Sequence, residues 1–472
     1  MLFTSVTFLF YFLPLILIIY YMFRKNMLAK NITLLVFSLL FYSWGEPIFV
    51  WIMIASIIVN YGLGVWIDLK REDKKESLLI LTLMCVLNLG ILFIFKYLSF
   101  SVGIVNGLLG AQMRIPQIAL PIGISFFTFQ AMSYVVDVYR EDAKVQRNPF
   151  YLALYISFFP QLIAGPIVCY QTIADQLSNR VETPDKIAIG TCRFMTGFCK
   201  KVLISNNMAI IVDQIYGLNQ LGGIPSTLAW MGAFAYTLQI FFDFSAYSDM
   251  AIGLGLIFGF KFEENFNYPY ISKSITEFWR RWHISLGTWF RNYVYIPLGG
   301  SRTKNKDLMV RNVLIVWMCT GVWHGANWTF VIWGAYNFVF IFTEKLLDFD
   351  NLRIPKWMKH IYALLVINLG WVIFRSEDTL SCAYYIASMM GLLDGIWSNY
   401  TFMFFREYGL FMLVAIAFSM PIGKRMNKLV TDGSTVAAVL QYGYPIVVFV
   451  LFLASVSYLV VGSYNPFIYF NF

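Results

Sequence analysis

Only three histidines occur in this 472-residue chain, His283, His324 and His360, and one of them sits where an ionisable group is costly. His324 lies in Gly321-Val322-Trp323-His324-Gly325-Ala326-Asn327-Trp328, inside a run of 32 residues, 312–343, that contains no Asp, Glu, Lys or Arg. An ionisable ring in such a stretch marks a functional site by default, because desolvation penalises its charged form. Kept neutral, an imidazole accepts a proton, as a general base must. The same burial also suits a structural histidine hydrogen-bonded between helices. Helical spacing puts Asn327 and Trp328 on the His324 face, where Asn327 is expected to fix the ring's tautomer.

His283 belongs to a different chemical setting, Glu277-Phe278-Trp279-Arg280-Arg281-Trp282-His283-Ile284-Ser285. Glu277 and Arg281, four apart, form a favourable helical pair. One reading is a site for a polyanionic donor such as a coenzyme A thioester, with Arg280, Arg281 and Arg291 meeting phosphates and Trp279 and Trp282 packing nearby. The other is an amphipathic helix lying on an anionic leaflet. His360, beside Lys359, reads as an ordinary interfacial residue. The segment Phe241-Phe242-Asp243-Phe244-Ser245-Ala246-Tyr247-Ser248-Asp249 holds two carboxylates in an aromatic span. Six residues turn a helix by about 600°, which leaves the two about 240° apart and unable to share a face. They are expected to pair with the arginines of 280–291 or to line a proton path.

The elements that must carry these groups are membrane helices. The chain is 59% hydrophobic, 19% aromatic and 13% charged, too few charges for a water-soluble surface. Residues 1–23, 48–67 and 433–472 contain no Asp, Glu, Lys or Arg, and a bilayer is crossed by about 20 helical residues. Continuous apolarity without alternation selects helices over a barrel, so the fold class is all-α, with no soluble domain. The first run lacks a basic leader and a cleavage site and reads as a retained helix. The net charge of +9 sits in short loops, where it sets topology and argues against nucleic acid as a partner. The six cysteines have no metal-ligand spacing and read as packing residues.

Gly45-Glu46-Pro47 divides 32–67 into two helices, which puts the basic loops around Lys25/Lys30 and Lys70/Arg71/Lys74/Lys75 on one side, with Arg140, Lys144 and Arg147 joining them. That side is cytoplasmic, and the N-terminus faces outward. Broken or re-entrant helices are expected over 149–217, two segments over 226–260, and cytoplasm-facing amphipathic helices over 261–311, where nine Lys/Arg meet four Asp/Glu. Gly321 and Gly325 are the expected breaks in 312–343. Spans near 359–374, 380–397, 402–421 and 436–461 follow, with Lys424, Arg425 and Lys428 in a cytoplasmic loop, for roughly 10 to 12 membrane segments in one domain, 1–472.

With these motifs in order, the sequence resembles the membrane-bound O-acyltransferase (MBOAT) family, in the bacterial branch that O-acetylates exopolysaccharides such as alginate. The matching pieces are Phe8-Leu-Phe-Tyr-Phe-Leu-Pro14, Leu120-Pro-Ile-Gly-Ile-Ser-Phe-Phe127, Phe242-Asp-Phe-Ser-Ala-Tyr-Ser-Asp-Met-Ala251, Glu277-Phe-Trp-Arg-Arg-Trp-His-Ile-Ser285, Tyr295-Ile-Pro-Leu-Gly-Gly-Ser-Arg302, Trp323-His-Gly-Ala326 and Asn465-Pro-Phe-Ile-Tyr-Phe470. Ala246 stands where many relatives have glycine.

The resemblance implies that His324 is the family's catalytic histidine and His283 the second histidine associated with activity; Asp243, Tyr247, Asp249 and Asn327 are read as supporting residues. It implies a ring of helices around a thin central region, where a cytoplasmic donor and an outer-face acceptor meet at His324. It also implies acetyl-CoA as donor substrate, no permanently bound cofactor, no metal, a bacterial inner-membrane location, and an extracytoplasmic partner that acetylates the polysaccharide. Three rivals make other predictions: D-alanyl transfer to teichoic acid from a carrier-protein thioester, a proton-coupled transporter using Asp243, Asp249 and His324, and a scaffold for a secretion machine.

Overall fold

A computed structural model describes residues 1–219, 222–301, 306–424, 435–462 and 464–468. Arg302, Arg425, Lys428, Tyr469 and Phe470, which the sequence motifs and loops include, lie outside the described residues. Among those described, every regular element is a helix. The chain divides into two compact units, one of residues 1–191 and 251–263, the other of 192–250 and 264–472.

The first unit holds α1 (Leu13–Met22), α2 (Met27–Gly45), α3 (Val50–Leu69), α4 (Lys74–Leu92), α5 (Leu98–Leu109), α6 (Ile124–Tyr139), α7 (Pro149–Ser157), α8 (Phe159–Leu162) and α9 (Tyr170–Ser178). The helix pair α2 and α3 breaks at 46–49, as Gly45-Glu46-Pro47 requires. Asn26 and Asp73 accept backbone N–H bonds at the starts of α2 and α4, the side-chain chemistry that begins helices. Short helices with Pro149 and Pro160 in their first turns replace continuous spans over 149–178, in line with the irregular pattern there.

A buried cluster of charges ties distant parts of this unit together. Lys30 is 3% exposed and meets Glu182 at 2.7 Å. Tyr20 donates to Glu182 at 2.5 Å, and Arg180 donates through Nε to the Phe258 carbonyl at 3.0 Å. The Arg180 guanidinium also lies 4.3 Å from the centre of the Phe260 ring. Lys30 is therefore a buried structural cation, and the exposed basic residues of that loop are Arg24 and Lys25.

The second unit contains most of α12 (Ser226–Ile257), which follows α10 (Pro184–Cys199) and α11 (Asn206–Asn219). The expected division of 226–260 does not occur. One unbroken helix of 32 residues runs through, because none of its glycines is coupled to a proline or a turn. Beyond it lie α13 (Ile275–Arg281), α14 (Ile284–Phe290), α15 (Lys306–His324), α16 (Trp328–Leu346), α17 (Lys356–Arg375), α18 (Thr379–Met389), α19 (Asn399–Ser419) and α20 (Thr435–Val460). The short α13 and α14 agree with the polar pattern of 261–311.

Seven described helices are long and apolar enough to cross a membrane, and Phe8–Met22 is a shorter apolar helix. These seven are counted by length and apolarity over the described residues; α6, with 16 residues, and α18, with 11, are shorter than the roughly 20 that cross a bilayer. The expected span at 380–397 stops at Met389 and turns through Gly391 and Gly395, both at positive φ.

The long uncharged stretch 312–343 breaks at 325–327, between α15 and α16. Gly321 does not break the helix. Instead it lets α15 and α16 touch, since a Cβ there would come within 2.5 Å of the Phe330 carbonyl and one on Gly334 within 2.6 Å of the Trp317 carbonyl. Small residues allow such close backbone approach between membrane helices.

The Glu182 carboxyl is held below its ordinary range. Burial acts to raise it, and the Lys30 ammonium and Tyr20 hydroxyl outweigh burial. A depressed carboxyl stabilises the fold fully above its ordinary pKa and loses that contribution as pH falls through the folded value. Glu182→Gln leaves the buried cations without a carboxylate, a loss on the order of 3 kcal/mol. Thermal melts in detergent will show the variant less stable at neutral pH, with the gap from the native protein closing as the solution is acidified below about pH 4.5.

Candidate functional site

His324 is the last residue of α15, where the chain leaves the helix through Gly325-Ala326-Asn327. It is 7% exposed. Three aromatic rings pack edge-on against its imidazole: Trp323 at 5.0 Å, Trp333 at 5.1 Å and Phe374 at 5.1 Å. Three elements, α15, α16 and α17, thus converge on one ring. Such packing fixes the imidazole's orientation more firmly than a loop would.

Asn327 does not act on His324 as helical spacing suggested. Its side-chain oxygen caps α16 by accepting from the Thr329 N–H at 3.2 Å, and its amide donates to the Glu377 carbonyl at 2.6 Å. The helix ends at His324, so the i, i+3 relation that placed both on one face is lost. Trp328 is half exposed, at 51%.

Trp333 is the centre of a larger aromatic cluster. It contacts Trp279 at 5.4 Å, Trp317 at 6.1 Å, Trp371 at 6.2 Å and Phe374 at 5.2 Å. Trp282 continues the cluster, 4.8 Å from Trp371 and stacked on Phe278 at 5.5 Å. Trp282 is buried and Trp279 half-buried in the aromatic cluster that joins α13 to His324.

The α16 helix positions α13 through polar groups on the same face as Trp333. Asn337 accepts from the Trp279 indole N–H at 2.9 Å. Glu344 accepts from the backbone N–H of Ile275 at 2.5 Å and of Thr276 at 2.9 Å, placing a carboxylate at the N-terminus of α13. Ser274 caps the same turn by accepting from the Glu277 N–H at 3.0 Å. Trp333, Asn337 and Glu344 recur at four and seven residues, the spacing of one helical face. Neither Asn337 nor Glu344 was singled out from sequence, although a carboxylate and an amide at helical spacing in an apolar run were a usable signal.

His283 joins α13 to α14 in a left-handed backbone conformation, φ 45° and ψ 54°, which costs energy in a residue with a Cβ and clusters at functional sites. It is 3% exposed. Burial pushes its imidazole down to about 3, so the ring is neutral at physiological pH. Nδ1 lies 3.1 Å from Asn265 Oδ1. The ring packs edge-on against Phe244 at 4.6 Å and Trp323 at 6.3 Å. Trp323 therefore touches both histidines.

Arg281 pairs with Glu277 at 2.8 Å, the helical pair expected from their spacing, and also donates to the Asn267 carbonyl at 3.1 Å. Arg280 and Arg291 are exposed. The carboxylates of α12 do not meet these arginines. Asp243 is 1% exposed and forms an ion pair with Lys201 at 2.5 Å, while accepting from the Ile468 N–H at 2.9 Å. Lys201 also donates to the Pro466 carbonyl, so the pair clamps the C-terminal segment. Asp249 bonds Lys200 at 2.6 Å and Arg193 at 3.0 Å. Tyr247 packs against Phe467 of that segment, ring centres 5.4 Å apart and planes tilted by 39°. Asp243 and Tyr247 anchor the C-terminal segment and Asp249 ties α12 to α10, because buried charges must find local partners.

Trp333→Ala will open a cavity beside His324 and destabilise the protein by about 3 to 5 kcal/mol. Trp279→Phe keeps an aromatic ring but removes the bond to Asn337, a loss of about 1 kcal/mol. Melting temperatures in detergent will rank native, Trp279→Phe and Trp333→Ala in descending order.

The sequence profile of the membrane-bound O-acyltransferase family matches residues 55–374, a stretch that includes His283 and His324. The chain is 43% identical over 413 residues to a probable alginate O-acetylase AlgI of Azotobacter vinelandii, covering 86% of this chain and 78% of the relative. It is 39% identical over 492 aligned positions to a probable alginate O-acetylase AlgI of Pseudomonas putida, covering 100% of both. A peptidoglycan O-acetyltransferase of Helicobacter pylori is 34% identical over 426 residues, covering 83% of this chain and 80% of the relative.

Proposed function

Because this multi-pass chain belongs to the membrane-bound O-acyltransferase family, we propose that it draws an acetyl group from acetyl-CoA in the cytoplasm and moves it toward O-acetylation of an extracytoplasmic polysaccharide. The observation that carries this reading is the buried His324, held by Trp323, Trp333 and Phe374 where α15 ends. His324 acts as the general base. Its ring nitrogen takes the proton of an acceptor hydroxyl as that oxygen bonds to the thioester carbonyl carbon. The carbon–sulfur bond then breaks, and the departing thiolate takes the proton back from the imidazolium as free thiol. Electrons and protons balance without a metal or redox cofactor.

The exposed Arg280 and Arg291 supply charge for the donor's phosphates, whereas Arg281 is engaged by Glu277. Exposed basic residues Arg24, Lys25, Lys70, Arg71, Lys74 and Lys75 support a cytoplasmic side for these loops and an outward N-terminus, in a bacterial inner membrane. The relatives named for alginate and peptidoglycan O-acetylation support a carbohydrate hydroxyl as the end point, reached directly or through an extracytoplasmic partner.

The test is the chemistry of the envelope polymer in cells carrying the native protein or His324→Ala. Mass spectrometry will find ester-linked acetyl groups with the native protein and at least a hundredfold fewer, about the contribution of a general base, with the variant. Equal acetylation in both removes His324 from the chemistry. Loss of D-alanyl esters in place of acetyl reassigns the donor.

A further inference from the structure

We infer that Asn265 is a positioning residue for His283, holding it as the Nδ1–H tautomer and leaving the Nε2 lone pair to accept a proton or hydrogen bond during acyl transfer. This rests on the reading above that the chain transfers acyl groups with His283 taking part.

The tautomer follows from the identity of the Asn265 atoms. Its side-chain oxygen accepts from the Ser285 backbone N–H at 3.2 Å and from the Ser285 hydroxyl at 2.9 Å. A backbone N–H can only donate, so the atom is the oxygen and not the amide nitrogen. The same oxygen lies 3.1 Å from His283 Nδ1. An oxygen acceptor facing a ring nitrogen requires that nitrogen to carry the hydrogen, and in a neutral imidazole the other nitrogen is then bare. His283 Nε2 is buried and has no hydrogen-bond partner among the described residues. A buried acceptor without a partner costs free energy and calls for an explanation such as a catalytic role.

The surroundings hold this arrangement without adding charge to it. Among the described residues, Asn265, Ser285, Phe244 and Trp323 are the groups in contact with the His283 ring, and none is ionised. The backbone of Asn265 is itself fixed, accepting from the Ile284 N–H at 3.0 Å. Its neighbour Glu264 receives both arms of Arg193, at 2.6 and 2.5 Å, a bidentate pair that sets position as well as adding energy. Arg193 in turn bonds Asp249 of α12 at 3.0 Å. Asn265 thus reaches His283 from a segment braced on α10 and α12.

The experiment measures acetyl transfer from labelled acetyl-CoA against pH, using the full chain in membranes with its acceptor system, for native protein, Asn265→Leu, Asn265→Asp and His283→Ala. Thermal melts of each variant establish that it is folded. Asn265→Leu will lower kcat by about a hundredfold or more, the scale of a misplaced tautomer, with KM for the donor little changed. Asn265→Asp keeps an oxygen acceptor for Nδ1–H and will restore transfer at alkaline pH. Its carboxylate favours imidazolium, so the acid limb of its pH profile will move to higher pH by about one unit or more. Folded Asn265→Leu with native kcat overturns the inference, as does Asn265→Asp as inactive as Asn265→Leu or active with an unmoved profile. Absence of transfer in the native protein, or full transfer in His283→Ala, counts instead against the reading on which the inference rests.

Discussion

An imidazole removed from water can be oriented by packing only if the packing is dense on several sides, and His324 meets that condition through Trp333. The indole is 1% exposed and touches His324, Phe374, Trp371, Trp279 and Trp317 at once. Each of α13, α15, α16 and α17 contributes a ring to that group. Large aromatic side chains contribute heavily to burial and lose little rotamer freedom when fixed, so a cluster of them holds a reactive side chain with little residual play. Close contact of α15 and α16 at Gly321 and Gly334 is what brings the Trp333 face up to His324.

The polar groups of the second unit serve that framework. Glu344 and Asn337 hold α13 from the same face of α16 that presents Trp333, and α13 leads directly into His283. Lys201 and Asp243 hold the C-terminal segment, and Arg193, Lys200 and Asp249 brace α10 against α12 and reach Glu264. Each charge is met by a partner within the same unit, which a low-dielectric interior demands. The arrangement shows conspicuous carboxylates in an aromatic helix paired with local cations and a backbone N–H, in a structural role.

Much of this was legible in the sequence because it rests on patterns with a single physical cause. Uncharged runs made the helical membrane fold plain, a Gly-Glu-Pro turn divided α2 from α3, and the overlong run around His324 had to break near Gly325. Burial of His324 followed from its neighbours. Partner choice was not legible. Asp243 and Asp249 found Lys201, Lys200 and Arg193, in and just after α10, where the sequence reading had offered the arginines of 280–291. Asn327 left the His324 face because the helix ended one residue before Gly325, and a shift of that size defeats any argument from helical spacing. Asn265 carried no signal at all, since an amide in a polar loop has no periodicity, and only the fold brings it to His283.

In the proposed function His324 is the base that couples acceptor attack to thioester cleavage. The most direct measurement follows free thiol released from acetyl-CoA by the purified protein in liposomes, with and without the acceptor system. The native protein will show acceptor-dependent thiol release, and a folded His324→Ala variant none above background. Undiminished acceptor-dependent release by that variant would contradict this role for His324.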